Sequence, residues 1–157
     1  MANGVFNIAK GKVNEYVARI DGNDPANSAL VVVLLQVAEA DATLEDYDDL
    51  AALIAGSNTE ATFTNYARKT LTDTDVTAPT PDDTNNNQRS DIPDQTWTSA
   101  GGTTDNTLVK MIIGYDSDTT AGTDANIIPL THHDFSATTN GNDLIAEINI
   151  DGFYRAS

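Results

Sequence analysis

Apolar positions along the chain alternate between two spacings, and the spacing separates helices from strands. Val13, Tyr16, Val17 and Ile20 fall at i, i+3, i+4 and i+7, one stripe of an amphipathic helix. Gly11 limits its start, and Asp21-Gly22-Asn23-Asp24-Pro25 ends it with turn residues. Ser28 to Val37 is apolar almost without interruption and rich in β-branched residues, which predicts a central strand covered on both faces. A second helix is predicted from Thr43. Thr43 is its cap and Asp46 an acidic partner three positions on, Leu44, Tyr47, Leu50, Ala51 and Ile54 form its stripe, and Gly56 stops it in the left-handed conformation.

Later apolar runs are shorter and read as strands. Residues 67–72, Gln95–Ser99, Thr107–Tyr115, Ile127–Leu130 and Phe135–Thr138 are candidates, and Trp97 is read as a core anchor. Asn140-Gly141 signals a hairpin turn leading into Leu144–Ile150, where Leu144, Ala146, Ile148 and Ile150 alternate. A last turn at Asp151-Gly152 precedes Phe153-Tyr154-Arg155. The sum is an α+β domain, mainly antiparallel β-sheet of sandwich or barrel-like form, with two helices in the N-terminal half. Residues 1–20 form an N-terminal arm and helix. Residues 21–157 form a single body with a long polar loop region over 73–106.

Composition sharpens this picture. Thr, Asn and Asp are abundant, and all three favour strands, caps and turns over helix interiors. The chain holds 8 basic and 24 acidic residues, a net charge of −16. Such a surface argues against nucleic acid, which is bound through Lys and Arg, and against anionic membranes. The charge is uneven: residues 1–20 carry Lys10, Lys12 and Arg19 against Glu15, whereas the remainder is strongly acidic. Two readings of that segment stand side by side, a helix packed on its own core and a partner-binding arm. With no Cys, disulfides, thiolate metal sites and Cys nucleophiles are absent. The longest apolar run, Ala29–Leu35, is far short of the ~20 residues that span a bilayer. The opening residues lack the basic-then-apolar pattern of a signal peptide, so synthesis in a cytosol is expected.

Candidate chemistry is sparse. The chain has no phosphate loop, no G-x-S-x-G elbow and no H-E-x-x-H helix. His132 and His133 are adjacent and would point to opposite faces of a strand, which does not suit one metal. Asp116, Asp118 and Asp124 open like a calcium loop, but the sixth position is not Gly and Ile127 stands at the twelfth. No enzyme, cofactor or metal site is predicted.

Several strings carry more than any of these motifs. They include Phe6-Asn7-Ile8-Ala9-Lys10-Gly11-Lys12-Val13, Asn23 to Leu30, Asp41 to Leu50, Ala67 to Thr72, Asp91-Ile92-Pro93-Asp94-Gln95-Thr96-Trp97-Thr98, Pro129-Leu130-Thr131-His132-His133-Asp134-Phe135 and Gly152 to Ser157. Together, nearly end to end, they resemble a family of small virion proteins of tailed bacteriophages. The resemblance implies a virion structural component assembled in the host cytoplasm, and assigns no residue a role. The expectation that follows is a non-enzymatic capsid decoration, or cement, protein bound outside a phage head. Its partner would be the major capsid protein and its own state a homotrimer, with contacts from Phe6, Ile8, Lys10, Lys12 and Arg19. A tail-tube, connector or tail-tip component is the alternative, with 73–106 as a loop reaching the next ring. A calcium-dependent host-surface adhesion module, using the acidic loops and Trp97, is the third.

Overall fold

The computed structural model describes residues 3–157. In chain order the elements are β1 (Asn3–Val5), α1 (Val13–Asp21), β2 (Ala29–Val37), α2 (Asp41–Leu44), α3 (Leu50–Ala55), β3 (Thr59–Glu60) and β4 (Lys69–Leu71). They continue with β5 (Thr80–Asp82), β6 (Asn87–Ser90), β7 (Gln95–Trp97), β8 (Thr107–Asp116), β9 (Ile127–Thr138), β10 (Leu144–Ala146) and β11 (Tyr154–Ala156). Antiparallel pairing runs through the described residues, so the α+β class expected from the sequence holds, with three short α-helices among them.

The main sheet is ordered β1-β9-β8-β2-β3, and β4 also pairs with β2. Its centre is the apolar run: β2 faces β8 from Ala29↔Asp116 to Leu35↔Lys110, and Ala29 to Leu35 are all buried. The far edge of β2 is shared between two short strands. Where β4 has ended and β3 has not begun, the Tyr66 hydroxyl accepts from Leu34 N at 3.1 Å and Ala61 N donates to Leu34 O at 2.8 Å. No backbone group of this buried strand is stranded there.

β9 runs unbroken through His132-His133, where two separate strands were expected. Pro129 is accommodated because the register against β8 shifts between Ile113 and Gly114, setting Pro129 opposite Gly114. A bulge is the place where a strand tolerates the lost N–H.

Two layers cover the main sheet. The α2 side lies over the face carrying Lys110 and His132, which contact Asp41 and Glu45. On the opposite face Tyr16 of α1 stacks on Tyr115 with ring centroids 4.6 Å apart. Outside α1 sits a three-stranded sheet, β11-β6-β5, and the pair β10-β7 forms a third sheet. Asn14 joins α1 to that small sheet, donating to Gln88 Oε1 at 3.0 Å and accepting from Ser90 Oγ at 2.7 Å. Within the polar region 73–106, β7 falls on the strand expected at Gln95–Ser99, and β5 and β6 are two further short strands set among turns and loops.

Other local expectations are corrected. The helix expected from Thr43 to Gly56 is split, because Asp49 Oδ1 accepts from Ala52 N at 2.7 Å and caps a new helix. Gly56 is extended, not left-handed, and is required by space: a Cβ there would meet the Tyr47 ring. Asn140-Gly141 makes no hairpin; both backbone N–H groups donate to Ala100 O, and β10 pairs with β7. The alternation beyond Ala146 does not continue as strand, and Ile150 is 86% exposed. Trp97 is 1% exposed and its indole N–H donates to Ala67 O at 2.8 Å, as its reading as an anchor requires.

The N-terminal segment is folded into the body. β1 pairs with β9, Phe6 N donates to Leu130 O at 3.1 Å, and Val13, Val17 and Ile20 of α1 are buried. Met1 and Ala2, the start of the expected arm, lie outside the described residues. Phe6 is 0% exposed and sits edge-on to His132, with centroids 5.7 Å apart. Phe6→Ala should therefore destabilise the chain by about 3–4 kcal/mol in urea unfolding. A change of a few tenths would mean the segment packs only loosely on the body.

Candidate functional site

Polar chemistry concentrates where β9 meets β8, β1 and α2. A lone lysine interrupts the apolar run of β8, and its antiparallel register sets Lys110 opposite Asp134. The first residue of α2 brings Asp41 to the same ammonium, so Lys110 Nζ lies 2.5 Å from both Asp41 Oδ1 and Asp134 Oδ1. Its side chain is only 7% exposed. Burial alone would lower the Lys110 pKa, but Asp134 and Asp41 outweigh it and hold the ammonium charged above its usual range.

One pair along the same face, His132 is completely buried. Its Nε2 donates to Glu45 Oε1 at 3.3 Å, since a carboxylate can only accept, while Nδ1 has no partner among the described residues. Glu45 also receives Lys10 Nζ at 3.2 Å. Burial pushes the Glu45 carboxyl up, and the hydrogen bonds from His132 and Lys10 more than reverse this, leaving it below the usual range. Gly4 of β1 passes directly over this contact; a Cβ there would meet the His132 ring and Glu45.

His133 points the other way, into a cleft of about 490 Å³ lined by apolar Met111, Phe135, Ile148 and Phe153 and by polar Asp134, Glu147 and Asn149. Its Nε2 lies 3.0 Å from Thr131 Oγ1. Burial, reinforced by His132 and Lys110, pushes its pKa down to about 4. The pair thus faces two sides of one strand, as expected, and shares no ligand position.

A second ionic cluster closes the other edge of the sheet. Arg68 donates in bidentate fashion to Glu60 at 2.8 and 2.7 Å and to Asp124 at 2.6 and 2.9 Å. Glu60 also accepts from the Tyr66 hydroxyl at 2.8 Å. The three aspartates weighed as a calcium loop consequently face different partners. Asp116 accepts from Asp118 N, Asp118 from Thr120 N and Oγ1, and Asp124 from Arg68.

Of the residues expected to contact a partner, Phe6 is corrected: its ring is enclosed by its own chain and presents nothing outward. Ile8 is half-buried, Lys10 is exposed but engaged with Glu45 and Asn7, and Arg19 is paired with Glu15 four residues earlier. Lys12 is exposed. Lys110 and Arg68 were not singled out by the sequence, where the one available signal was a lysine inside an apolar strand; Glu45, expected to face outward from the Thr43 helix, instead meets the buried His132. Among the described residues no helix is long and apolar enough to cross a membrane. No protein-family model, curated protein or solved structure matches this chain.

The His133 environment sets a pH dependence. Its folded pKa lies below the unfolded value of 6.5, so between 6.5 and about 4 the unfolded chain binds the extra proton. Stability from this group is complete above 6.5 and is lost as pH falls through that window. Between about pH 7 and about pH 5, His133→Gln should lose ~2 kcal/mol less stability than the parent chain in urea unfolding. Equal losses would show that His133 is solvated.

Proposed function

We propose that this chain is a non-enzymatic virion structural protein, a decoration protein that binds the outside of a phage head as a homo-oligomer, a trimer in the simplest arrangement. The carrying observation is what the inner charges do. Lys110, Arg68 and Glu45 each tie separate chain segments together, and each charged group is answered by an opposite one. None of these three is left unpaired to move a proton or attack a substrate. The surface outside these seams is strongly acidic, which favours solubility and discourages contact with DNA.

The sequence resemblance to small virion proteins of tailed phages supports the same reading. Its partner is then the major capsid protein, and the outward part of the first twenty residues, Lys12 with Lys10, Ile8 and Arg19, is the proposed contact. A tail component is less favoured, because the hairpin β5-β6 in the segment that could have reached a neighbouring ring is tied to its own chain, through β11 and Asn14 of α1.

Adding the purified chain to heads assembled without it tests the proposal. Binding should saturate at on the order of hundreds of copies per particle and raise the temperature at which heads release DNA. Lys10→Ala with Lys12→Ala should weaken binding, more at low salt than at high salt. Recovery of the protein only in tails, or at about a dozen copies or fewer, would contradict the head assignment.

A further inference from the structure

The ammonium of Lys110 is met by one carboxylate more than its charge requires. Lys110 Nζ lies 2.5 Å from both Asp134 Oδ1 and Asp41 Oδ1, closer than the ~2.7–2.9 Å of an ordinary ammonium–carboxylate contact. One aspartate would balance the lysine; the second brings two like charges together and leaves the group net negative. Arg68 is also met by two carboxylates, but a guanidinium keeps its protons in a protein, so that cluster can only be ionic. A lysine can give up a proton, and its free amine is a nucleophile.

The fold sets the three groups in the arrangement that such a reaction needs. Register fixes Lys110 between Leu35 of β2, which is completely buried, and Asp134 of β9. The lysine side chain is nearly closed off from solvent, so little water competes for its nitrogen. The Asp134 carboxyl carbon lies one bond beyond its oxygen, which puts Nζ within about 3.8 Å of that carbon, close to the ~3–3.5 Å of a near-attack arrangement. Asp41, from the first residue of α2, brings a second carboxylate to the same nitrogen without belonging to the strand ladder.

We propose that Lys110 and Asp134 join in an intramolecular isopeptide bond between β8 and β9, with Asp41 carrying the protons. The resting ammonium passes one proton to Asp41, and the freed amine attacks Asp134 Cγ. The Nζ–Cγ bond forms and one Cγ–O bond breaks. The first proton and a second from Nζ reach the departing oxygen through Asp41, and that oxygen leaves as water. Asp41 ends as it began, and no further reactant is consumed. The reaction runs once, within the chain and on no outside substrate, so it goes beyond the proposed attachment role and does not depend on it. Its product covalently closes the 24 positions between the two residues in a chain that has no cysteine for the purpose.

The intact mass of the purified full chain, read after unfolding in denaturant, tests this without any variant having to fold. The parent should weigh about 18 Da less than its sequence, the mass of one water. Trypsin should then fail to cut after Lys110 and leave residues 90–155 as one fragment that carries the loss. Lys110→Arg should restore the full mass, and Asp41→Asn should slow the loss of water in freshly made chain by about a hundredfold. A parent of full mass would overturn the proposal. So would a lost water in a fragment still cut at Lys110, the mark of a dehydrated Asp151-Gly152, or a linkage joining residues 20–68, which hold Asp41, to residues 90–155. An Asp41→Asn chain that closes as fast as the parent would overturn it as well.

Discussion

A chain with three acids for every base has to place its few cations where unopposed acids would cost most, and this constraint organises the molecule. Lys110 holds Asp41 and Asp134 together and thereby joins α2 to the main sheet. Arg68 joins Glu60 at one edge of the sheet to Asp124 in the loop after β8. Lys10 meets Glu45, which also holds His132, and so fastens the N-terminal segment. At Lys110 and Arg68 the side chains are partly shielded from water, where paired charges interact more strongly than exposed ones, whereas Lys10 reaches Glu45 from the exposed surface. Breaking such a pair leaves a carboxylate without its partner next to apolar packing.

The apolar frame and the ionic seams depend on each other. β2 and β8 are covered on both faces, so the layers over them must be continuous. One cover is short and interrupted, two helices of four and six residues, which could not persist alone. It is held by the Lys110 and Glu45 contacts and by Leu44, Leu50 and Leu53, all buried. The other cover, α1, is longer and carries a small polar sheet on its outer side through Asn14. On the outward face of that small sheet Arg89 stands opposite Arg155 and ties to Asp151 and to the Ile150 carbonyl.

What was legible in the sequence follows from how local its cause is. The apolar run of β2, the stripe of α1 and the burial of Trp97 depend on side-chain type and spacing, and all three are present. The break after α2 depends on Asp49 taking over as a cap, which competes with an equally plausible cap at Thr43. Strands β5 and β6 lack apolar alternation because one face is solvated and the other meets α1 through Asn14, Gln88 and Ser90, so they read as loop. Their pairing with β11 joins residues far apart in the chain, and the Arg89–Arg155 opposition is invisible until that register is known. The burial of Phe6 was hidden for the same reason: its neighbour His132 comes from the opposite end of the chain.

An acidic shell and inner charges matched in pairs suit the proposed role of a subunit that works by attachment. The claim on which this rests is that the scarce cations are structural seams and not incidental surface pairs. A double-mutant cycle on Arg68→Met and Asp124→Asn, followed by urea unfolding, measures it directly. The account predicts a coupling energy of about 1–2 kcal/mol that persists at high salt, because the groups are partly shielded. Additive effects, or a coupling that vanishes in salt, would show a solvated surface pair and contradict it.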